Sequence, residues 1–287
     1  MRLNMNNLNV FMMVSEKMNI TEAAKALFIS QPAVSKAVKS LEESLHVKLF
    51  LRDKHQGLIL TDVGKEILIL ARQMKSIENK IHQAASRESQ MLTGKVRIGS
   101  FPAASTVLLP KTIAKFRVQY PHVTIELIEG VSSQIKEWVR DRTIEIGLVS
   151  SPFEDFEYES LLSDHMVVIL PEHHALRDEE TIHFREYHHE FIYCTGGHEA
   201  AISNVLQTYN LSLQANLTVQ STETLIHMVN NNLGIGLVSE FSLSSVDHHL
   251  IVKNIEPQMT RNIGVIALSF EEISMASTAF IRFLREQ

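Results

Sequence analysis

Residues 20–42 read ITEAAKALFISQPAVSKAVKSLE, and the order of features in this stretch decides what the first third of the chain is. Thr21 can cap a short helix through Ala23, Ala24 and Leu27, whose two alanines let a neighbouring helix approach closely. Phe28 and Ile29 leave room only for a tight turn. Ser30 then caps a second helix, which tolerates Pro32 in its first turn and faces Val34, Ala37, Val38 and Leu41 inward. Helix, tight turn, helix is the arrangement that lays its second helix in the major groove of DNA. On the outer face Gln31 and Ser35 are short enough to reach base edges, and Pro32 can touch a thymine methyl. Lys36 and Lys39 can reach guanine or phosphate. Thr21 and Ser30 join them as candidate DNA-binding residues, although Ser30 serves equally as a cap and each lysine equally as a solvated charge. Their joint occurrence on one face favours the nucleic-acid reading.

Upstream, Leu8, Phe11, Met12 and Met18 suit a first helix. Downstream, Val47, Leu49 and Phe50 lead to a polar tip, Asp53 to Gly57, followed by Leu58, Ile59 and Leu60. This predicts a two-stranded hairpin, with Arg52 and Lys54 placed over phosphates as a wing. Thr61 is placed as the N-cap of a long helix, with Asp62 at the positive end of its dipole. Val63, Ile67, Leu70, Met74, Ile77, Ile81 and Ala84 recur at alternating steps of four and three, the seam of a coiled coil, before Thr93 and Gly94 end it. From Asp62 to Leu92 such a helix reaches ~45 Å at ~1.5 Å per residue. The expected partner for the stripe is a second copy of the chain, the competing one its own C-terminal domain.

The whole chain has 287 residues, 45% hydrophobic and 21% charged, enough for a sizeable core in two or more domains and too balanced for a disordered or fibrous protein. No apolar run approaches the ~18 residues a membrane span needs. Met1 to Val10 lacks a signal-peptide profile, and the single cysteine, Cys194, excludes an intramolecular disulfide framework, so a cytoplasmic location is expected. The net charge of −6 hides an asymmetry: residues 1–93 carry 13 Lys and Arg against 9 Asp and Glu, the remainder 14 against 24. Only the first part is suited to approach a polyanion.

After Gly94 strands and helices alternate: strands at Lys95–Gly99, Val123–Ile128 and Ile144–Val149 enclose helices at Leu108–Tyr120 and Ser132–Arg142. That order predicts a parallel sheet with right-handed crossovers. A second series follows with strands at Met166–Leu170, Phe191–Cys194, Leu217–Val219, Ile235–Val238 and Ile263–Leu268. Its helices fall near Glu199–Tyr209 and over Thr222–Asn232, and a last one over Glu272–Leu284 closes the chain. Two α/β lobes leave a crevice at the carboxyl ends of their strands. The candidate effector-binding residues there are Ser100, Phe101, Ala103, Ser105, Ser132 and Ser150 in the first lobe, with Ser151 beside them, and Thr195, Ser221 and Thr222 in the second. Hydroxyls with free helix N-terminal amides suit a carboxylate or another small oxyanion, and the same residues suit plain caps. Arg117, Arg140 and Arg142 are expected in solvated pairs.

The stretch LNVFMMVSEKMNITEAAKALFISQPAVSKAVKSLEESLHVKLFLRDKHQGLILTDVGKEIL resembles the N-terminal domain of LysR-type transcriptional regulators. The likeness rests on Ala23–Ala24, SQPAVS at 30–35, LE at 41–42, LF-x-R at 49–52 and LT-x-x-G at 60–64. It implies DNA contacts by Gln31, Pro32, Ser35, Lys36 and Arg52. His46 stands where that family usually has glycine. Weaker likeness runs on through IGSFPAASTVLLP, IELIEGVSSQIKEWV, ILPEHHAL and VNNNLGIGLVSE, with Ile144-Glu145-Ile146-Gly147 in place of a Leu-Asp-Leu-Ala strand. The implied fold class is α/β: a winged helix-turn-helix over 1–61, a linker and dimerisation helix over 62–93, and a two-lobed effector domain like periplasmic binding proteins over 94–287. The implied crossings lie near Leu161–Leu162 and Ile266–Ala267, giving lobe I about 94–161 and 268–287 and lobe II about 162–267. The resemblance further implies a homodimer or homotetramer on an interrupted inverted repeat of double-stranded DNA, answering to a small-molecule effector.

Rival readings find less support. His173–His174, His188–His189 and His248–His249, with Cys194 and His198, invite a metal or redox role, but adjacent histidines diverge and no HExxH or paired CxxC spacing occurs, so no cofactor is expected. No Walker loop, GxSxG or GxGxxG is present; Gly234-Ile235-Gly236 reads as a helix end packed against a strand, which leaves no enzymatic reading. A constitutive repressor with an empty cleft is the alternative within the same class.

Overall fold

The computed structural model describes residues 3–53, 57–86, 92–194, 199–210 and 217–286. The chain divides into two compact units, Met1–Ala84 and Ala85–Gln287.

In the first unit α1 (Met5–Lys17), α2 (Ile20–Leu27) and α3 (Gln31–Leu45) pack around Leu8, Phe11, Val14, Ala23, Ala24, Val34, Val38 and Leu41. Ala23 and Ala24 are fully buried, as the close crossing of α1 and α2 requires. Each helix stops at a residue in the left-handed region, Met18, Phe28 and His46, none of them glycine. His46, at φ 56°, donates its amide to the Glu42 carbonyl and so makes the turn that a glycine makes at less cost. A two-stranded hairpin follows, β1 (Phe50–Asp53) with β2 (Gly57–Leu60), in which Phe50 pairs with Leu60 and Asp53 with Gly57. The Phe50 ring meets Phe11 edge-on at 5.4 Å, fixing the hairpin to the helical core.

The long helix is α4 (Asp62–Ser86), capped as expected: the Thr61 hydroxyl accepts the Gly64 amide at 2.8 Å. Gly64 lies so close to the Leu49 carbonyl that a Cβ would overlap it. The expected continuation to Leu92 falls partly on 87–91, outside the described residues. The face of α4 that enters the core is Leu68 and Ala71, neither of them in the seven-residue stripe, with Ile67 of the stripe packed beside them.

In the second unit β3 (Gly94–Ser100), α5 (Pro102–Val107), α6 (Leu109–Gln119), β4 (Val123–Glu129), α7 (Ser132–Arg140) and β5 (Ile146–Ser150) build a parallel sheet in the order β4-β3-β5. The helix expected over Leu108–Tyr120 is α6, and α5 is a further short helix ahead of it, ending at Leu108. Next comes β6 (Glu157–Leu170), of which only the second half was legible, because most of residues 157–163 point to solvent. Then follow β7 (Thr181–His183), α8 (Phe184–Tyr187), β8 (Phe191–Cys194), α9 (Glu199–Thr208), β9 (Thr218–Val219), α10 (Thr222–Asn230), β10 (Ile235–Ser239), α11 (Glu240–Leu243), β11 (Ile251–Glu256), β12 (Thr260–Ala267) and α12 (Met275–Arg285).

The lobe boundaries differ from those expected. β6 pairs β12 from Glu157 to His165 and then β10 and β11 from Met166 on, so the first crossing lies about four residues later than Leu161–Leu162. β12 pairs β5 throughout Ile263–Ile266, which puts the whole strand in the first lobe. The second crossing therefore falls between Glu256 and Thr260, not near Ile266–Ala267. The reason is antiparallel pairing: β12 lies between β5 and the Glu157–His165 half of β6, so the whole strand belongs to the first lobe's sheet. Lobe II is the parallel set β9-β8-β10 with β6, β11 and β7 beyond it. Each lobe carries its own apolar core, on two faces of the sheet in lobe II.

Candidate nucleic-acid interface and ligand cleft

The exposed face of α3 is set by its burial rhythm. Val34, Val38 and Leu41 lie in the core, so Gln31, Pro32, Ser35, Lys36 and Lys39 are driven outward, and all five are exposed. The Ser30 hydroxyl accepts the Ala33 amide at 3.4 Å, which leaves Gln31 and Pro32 as the first helical residues of a freely presented N-terminus. The Lys39 ammonium sits 3.6 Å from Glu43. Arg52 is exposed on β1 opposite Leu58. Lys54 lies outside the described residues.

Thr21 is not the cap of α2. Asn19 holds that place, its side-chain oxygen accepting from the Thr21 and Glu22 amides at 2.8 and 3.2 Å. The signal was present as Asn19-x-x-Glu22, a cap followed by an acid three residues on. Thr21 is half-buried in the first turn of α2.

Sequence reasoning also missed Glu42. Its carboxylate, 10% exposed, accepts from the Leu49 amide at 2.9 Å, the Phe50 amide at 3.4 Å and Lys48 Nζ at 2.7 Å. The end of α3 thereby holds the entry to the hairpin. Burial pushes the carboxyl up, but the Lys48 ammonium and the two backbone amides outweigh it and keep it below the usual carboxylate range. Val63, Leu70, Met74, Ile77 and Ile81 are exposed, Ile77 by 52% and Ile81 by 64%, with Ile67 half-buried against the core. Ile67 apart, the described exposed members of the stripe thus form an apolar seam outside the first unit's own packing.

In the second unit Ser100, at the end of β3, and Phe101 are buried, with the Ser100 hydroxyl turned onto the Phe101 carbonyl at 3.2 Å. Ala103 is buried beside them in α5. Ser105 Oγ is buried with no hydrogen-bond partner. Ser132 and Ser150 meet at the ends of α7 and β5: the Ser132 hydroxyl accepts the Ser150 amide at 3.2 Å, and the two hydroxyls lie 3.3 Å apart. The cap of α7 is Val131, whose amide donates to Gln134. In lobe II the Ser221 hydroxyl caps α10 through the Thr224 amide at 3.1 Å, with Thr222 half-buried beside it. Thr195 lies outside the described residues. The structure brings Ser100, Phe101, Ser132 and Ser150 to one strand edge; Ser221 and Thr222 form a separate group on α10.

Against Phe101 lies a feature the sequence did not announce. Arg261 on β12 pairs with Asp164 on β6 at 2.7 Å, side chains 3% and 1% exposed. Its guanidinium also donates to Ser239 Oγ at 2.6 Å, and the other Asp164 oxygen accepts the Phe241 amide of α11 at 3.1 Å. The Phe101 ring meets Phe241 edge-on at 6.2 Å and lies 5.8 Å under the guanidinium. The group joins α5 of one lobe to α11 of the other. Arg140 and Arg142 are paired, with Glu154 and Asp155 and with Glu272.

A cavity of about 380 Å³ opens elsewhere, at the amino ends of β8 and β10, among His174, His189, Glu190, Phe191 and Gly234. Cys194 is buried at the end of β8. Among the described residues no three His, Cys, Asp or Glu side chains gather as a metal site would need, and no helix is long and apolar enough to cross a membrane.

Comparison with known proteins follows these two regions. Residues 5–65 match the bacterial regulatory helix-turn-helix protein model of the lysR family, and residues 89–287 match the LysR substrate binding domain. The chain is 59% identical over 286 residues to the HTH-type transcriptional regulator YoaU of Bacillus subtilis, with 99% of each chain covered. Among solved structures it is similar to a full-length OxyR variant from Pseudomonas aeruginosa, with a TM-score of 0.78 at 20% identity over 100% of this chain and 94% of that one. It is likewise similar to CbnR complexed with its target DNA, with a TM-score of 0.65 at 17% identity over 99% of each chain.

Proposed function

The chain belongs to the LysR family of DNA-binding transcriptional regulators, and from that premise we propose which of its residues do the reading and what it answers to. Gln31, Pro32, Ser35 and Lys36 contact base edges in the major groove, while Lys39, Arg52 and Lys54 with Thr21 and Ser30 contact the backbone. Two copies join along Val63, Ile67, Leu70, Met74, Ile77 and Ile81, and present paired recognition helices to an interrupted inverted repeat in the cytoplasm. The assembly is a dimer or a tetramer. The observation that carries this reading is the row of exposed polar side chains on α3 above a fully buried Val34.

The effector is a small anionic metabolite, held by hydroxyls and helix amides around Ser100, Phe101, Ala103, Ser105, Ser132 and Ser150 with Thr195, Ser221 and Thr222. It acts by favouring one of two DNA-binding populations, which requires different affinities for the two.

The test is fluorescence anisotropy on duplexes selected by the protein from a random pool, across a salt series. Affinity is expected to fall steeply with salt. Gln31→Ala and Ser35→Ala are each expected to relax preference at one base step by ~1–3 kcal/mol. Unchanged preference in both variants removes α3 from the groove. Thermal shift against a panel of small organic acids tests the second site.

A further inference from the structure

Phe28 is 95% exposed, the highest value for a large apolar side chain among the described residues. It is not there for the core, which its ring leaves entirely to Ala23, Ala24 and Val34. Nor does the backbone favour it: Phe28 ends α2 at φ 55°, its amide bonded to the Ala24 and Lys25 carbonyls, a position suited to glycine or asparagine. The fold thus bears a strained conformation and a bare aromatic ring at one place, with no return in packing.

What lies next to it supplies a partner. Ile29 is 42% exposed, and Ser30, Gln31, Pro32 and Ala33 follow, so exposure is unbroken from Phe28 into the first turn of α3. Three residues of chain keep Phe28 within ~10 Å of Gln31, Cα to Cα. We infer that Phe28 is part of the DNA interface, its ring making an apolar contact with the edge of the duplex: a thymine 5-methyl group, or the carbon face of a deoxyribose. This rests on the reading of α3 given above and extends it across the turn. The apolar contact is of a kind bases offer in the major groove. A contact of this sort adds affinity without neutralising a phosphate, and so leaves the salt dependence alone.

The experiment uses the full chain, its selected duplex, and Phe28→Asn, a substitution that suits the left-handed turn. The variant is expected to melt no lower than the parent, to bind DNA roughly 5- to 20-fold more weakly, and to keep the same slope of affinity against salt. Replacing thymines by deoxyuridine one at a time separates the two apolar edges. If a methyl is the contact, one such duplex costs the parent about fourfold, the conversion of ~0.8 kcal/mol for a buried methyl-sized group, and costs the variant nothing. If the sugar is the contact, uracil changes neither protein and the variant's loss persists. Binding by Phe28→Asn within twofold of the parent overturns the inference, as does a lower melting temperature, which would make the ring structural. A parent that selects no duplex at all overturns the reading of α3 itself, a result separate from either.

Discussion

Replacing Arg261 by methionine is expected to destabilise the second unit by about 3–5 kcal/mol, because it strands a charge rather than removing a bond. The guanidinium and the Asp164 carboxylate are almost wholly out of water, 2.7 Å apart. Without Arg261 the carboxylate keeps the Phe241 amide at 3.1 Å but loses its counter-charge, and Ser239 Oγ loses a donor at 2.6 Å. Among the described residues Arg261 is the cation paired with Asp164, so the desolvation penalty of the anion appears nearly in full. For a unit of roughly 200 residues each kcal/mol moves the melting temperature by ~2–4 °C, which gives a fall of ~6–20 °C. The control is the double variant Arg261→Met with Asp164→Leu. Removing both charges and filling the space with carbon is expected to recover most of the loss. Differential scanning calorimetry of the full chain reads both. A fall under 2 °C for Arg261→Met, or a double variant as unstable as the single one, refutes the reasoning that a desolvated ion pair joins the lobes.

Glu42→Gln is expected to cost ~1–2 kcal/mol at neutral pH, since an amide oxygen replaces a charged acceptor for Leu49 and loses Lys48. Because the folded carboxyl lies below its ordinary 4.5, its contribution is complete above that pH and is lost as pH falls through the lowered folded value. The gap in melting temperature between parent and variant is therefore steady at neutral pH and narrows as pH falls below 4.5, measured by thermal denaturation in a buffer series. Leu70→Asp with Ile77→Asp, both on exposed positions of α4, is expected to leave far-UV circular dichroism unchanged while weakening self-association by ~100-fold or more in sedimentation equilibrium. Unaltered association means the seam has another role.

How much of this was legible in the sequence depended on how locally each feature is specified. The helix-turn-helix was plain because its signals are short-range: small residues at 23–24, a two-residue turn, a serine cap and a proline in the first turn all act within a few residues. The first half of β6 was hidden because its burial alternates weakly, with Glu157, Tyr158, Ser160 and Ser163 in solvent. The crossing between Glu256 and Thr260 was misplaced for a different reason. Assigning β12 to a lobe is a statement about which strand it pairs, and a strand reads the same in either sheet until its register with β5 and β6 is known. Arg261 and Asp164 stand 97 residues apart, beyond any pattern in a single sequence. Helix caps fell between these cases: Ser30 and Thr61 cap the helices the sequence assigns them, while Asn19 takes the place expected of Thr21, because two polar residues either side of Ile20 both suit the role.

The same distinction bears on how an effector would act. The hydroxyls at the strand ends are not waiting open: Ser132 is bonded to Ser150, and Ser100 to the Phe101 carbonyl. A ligand that takes these donors must exchange neutral hydrogen bonds, each of net ~1 kcal/mol, for charge-assisted ones of ~1.5–3 kcal/mol, so each exchange leaves roughly 1 kcal/mol to bias a conformation. Two or three exchanges shift a two-state balance about 30- to 150-fold, within the ordinary range of coupling between sites, and a neutral ligand of the same shape shifts it hardly at all. Charge on the effector then matters more than its size. The cations near this edge are already committed, Arg261 to Asp164 and Ser239 and Lys136 to Glu154 and the Pro152 carbonyl, and would give up more than an incoming carboxylate returns. On the proposed reading of the effector as an anion, its selectivity would come from hydroxyls and backbone amides rather than from the buried ion pair.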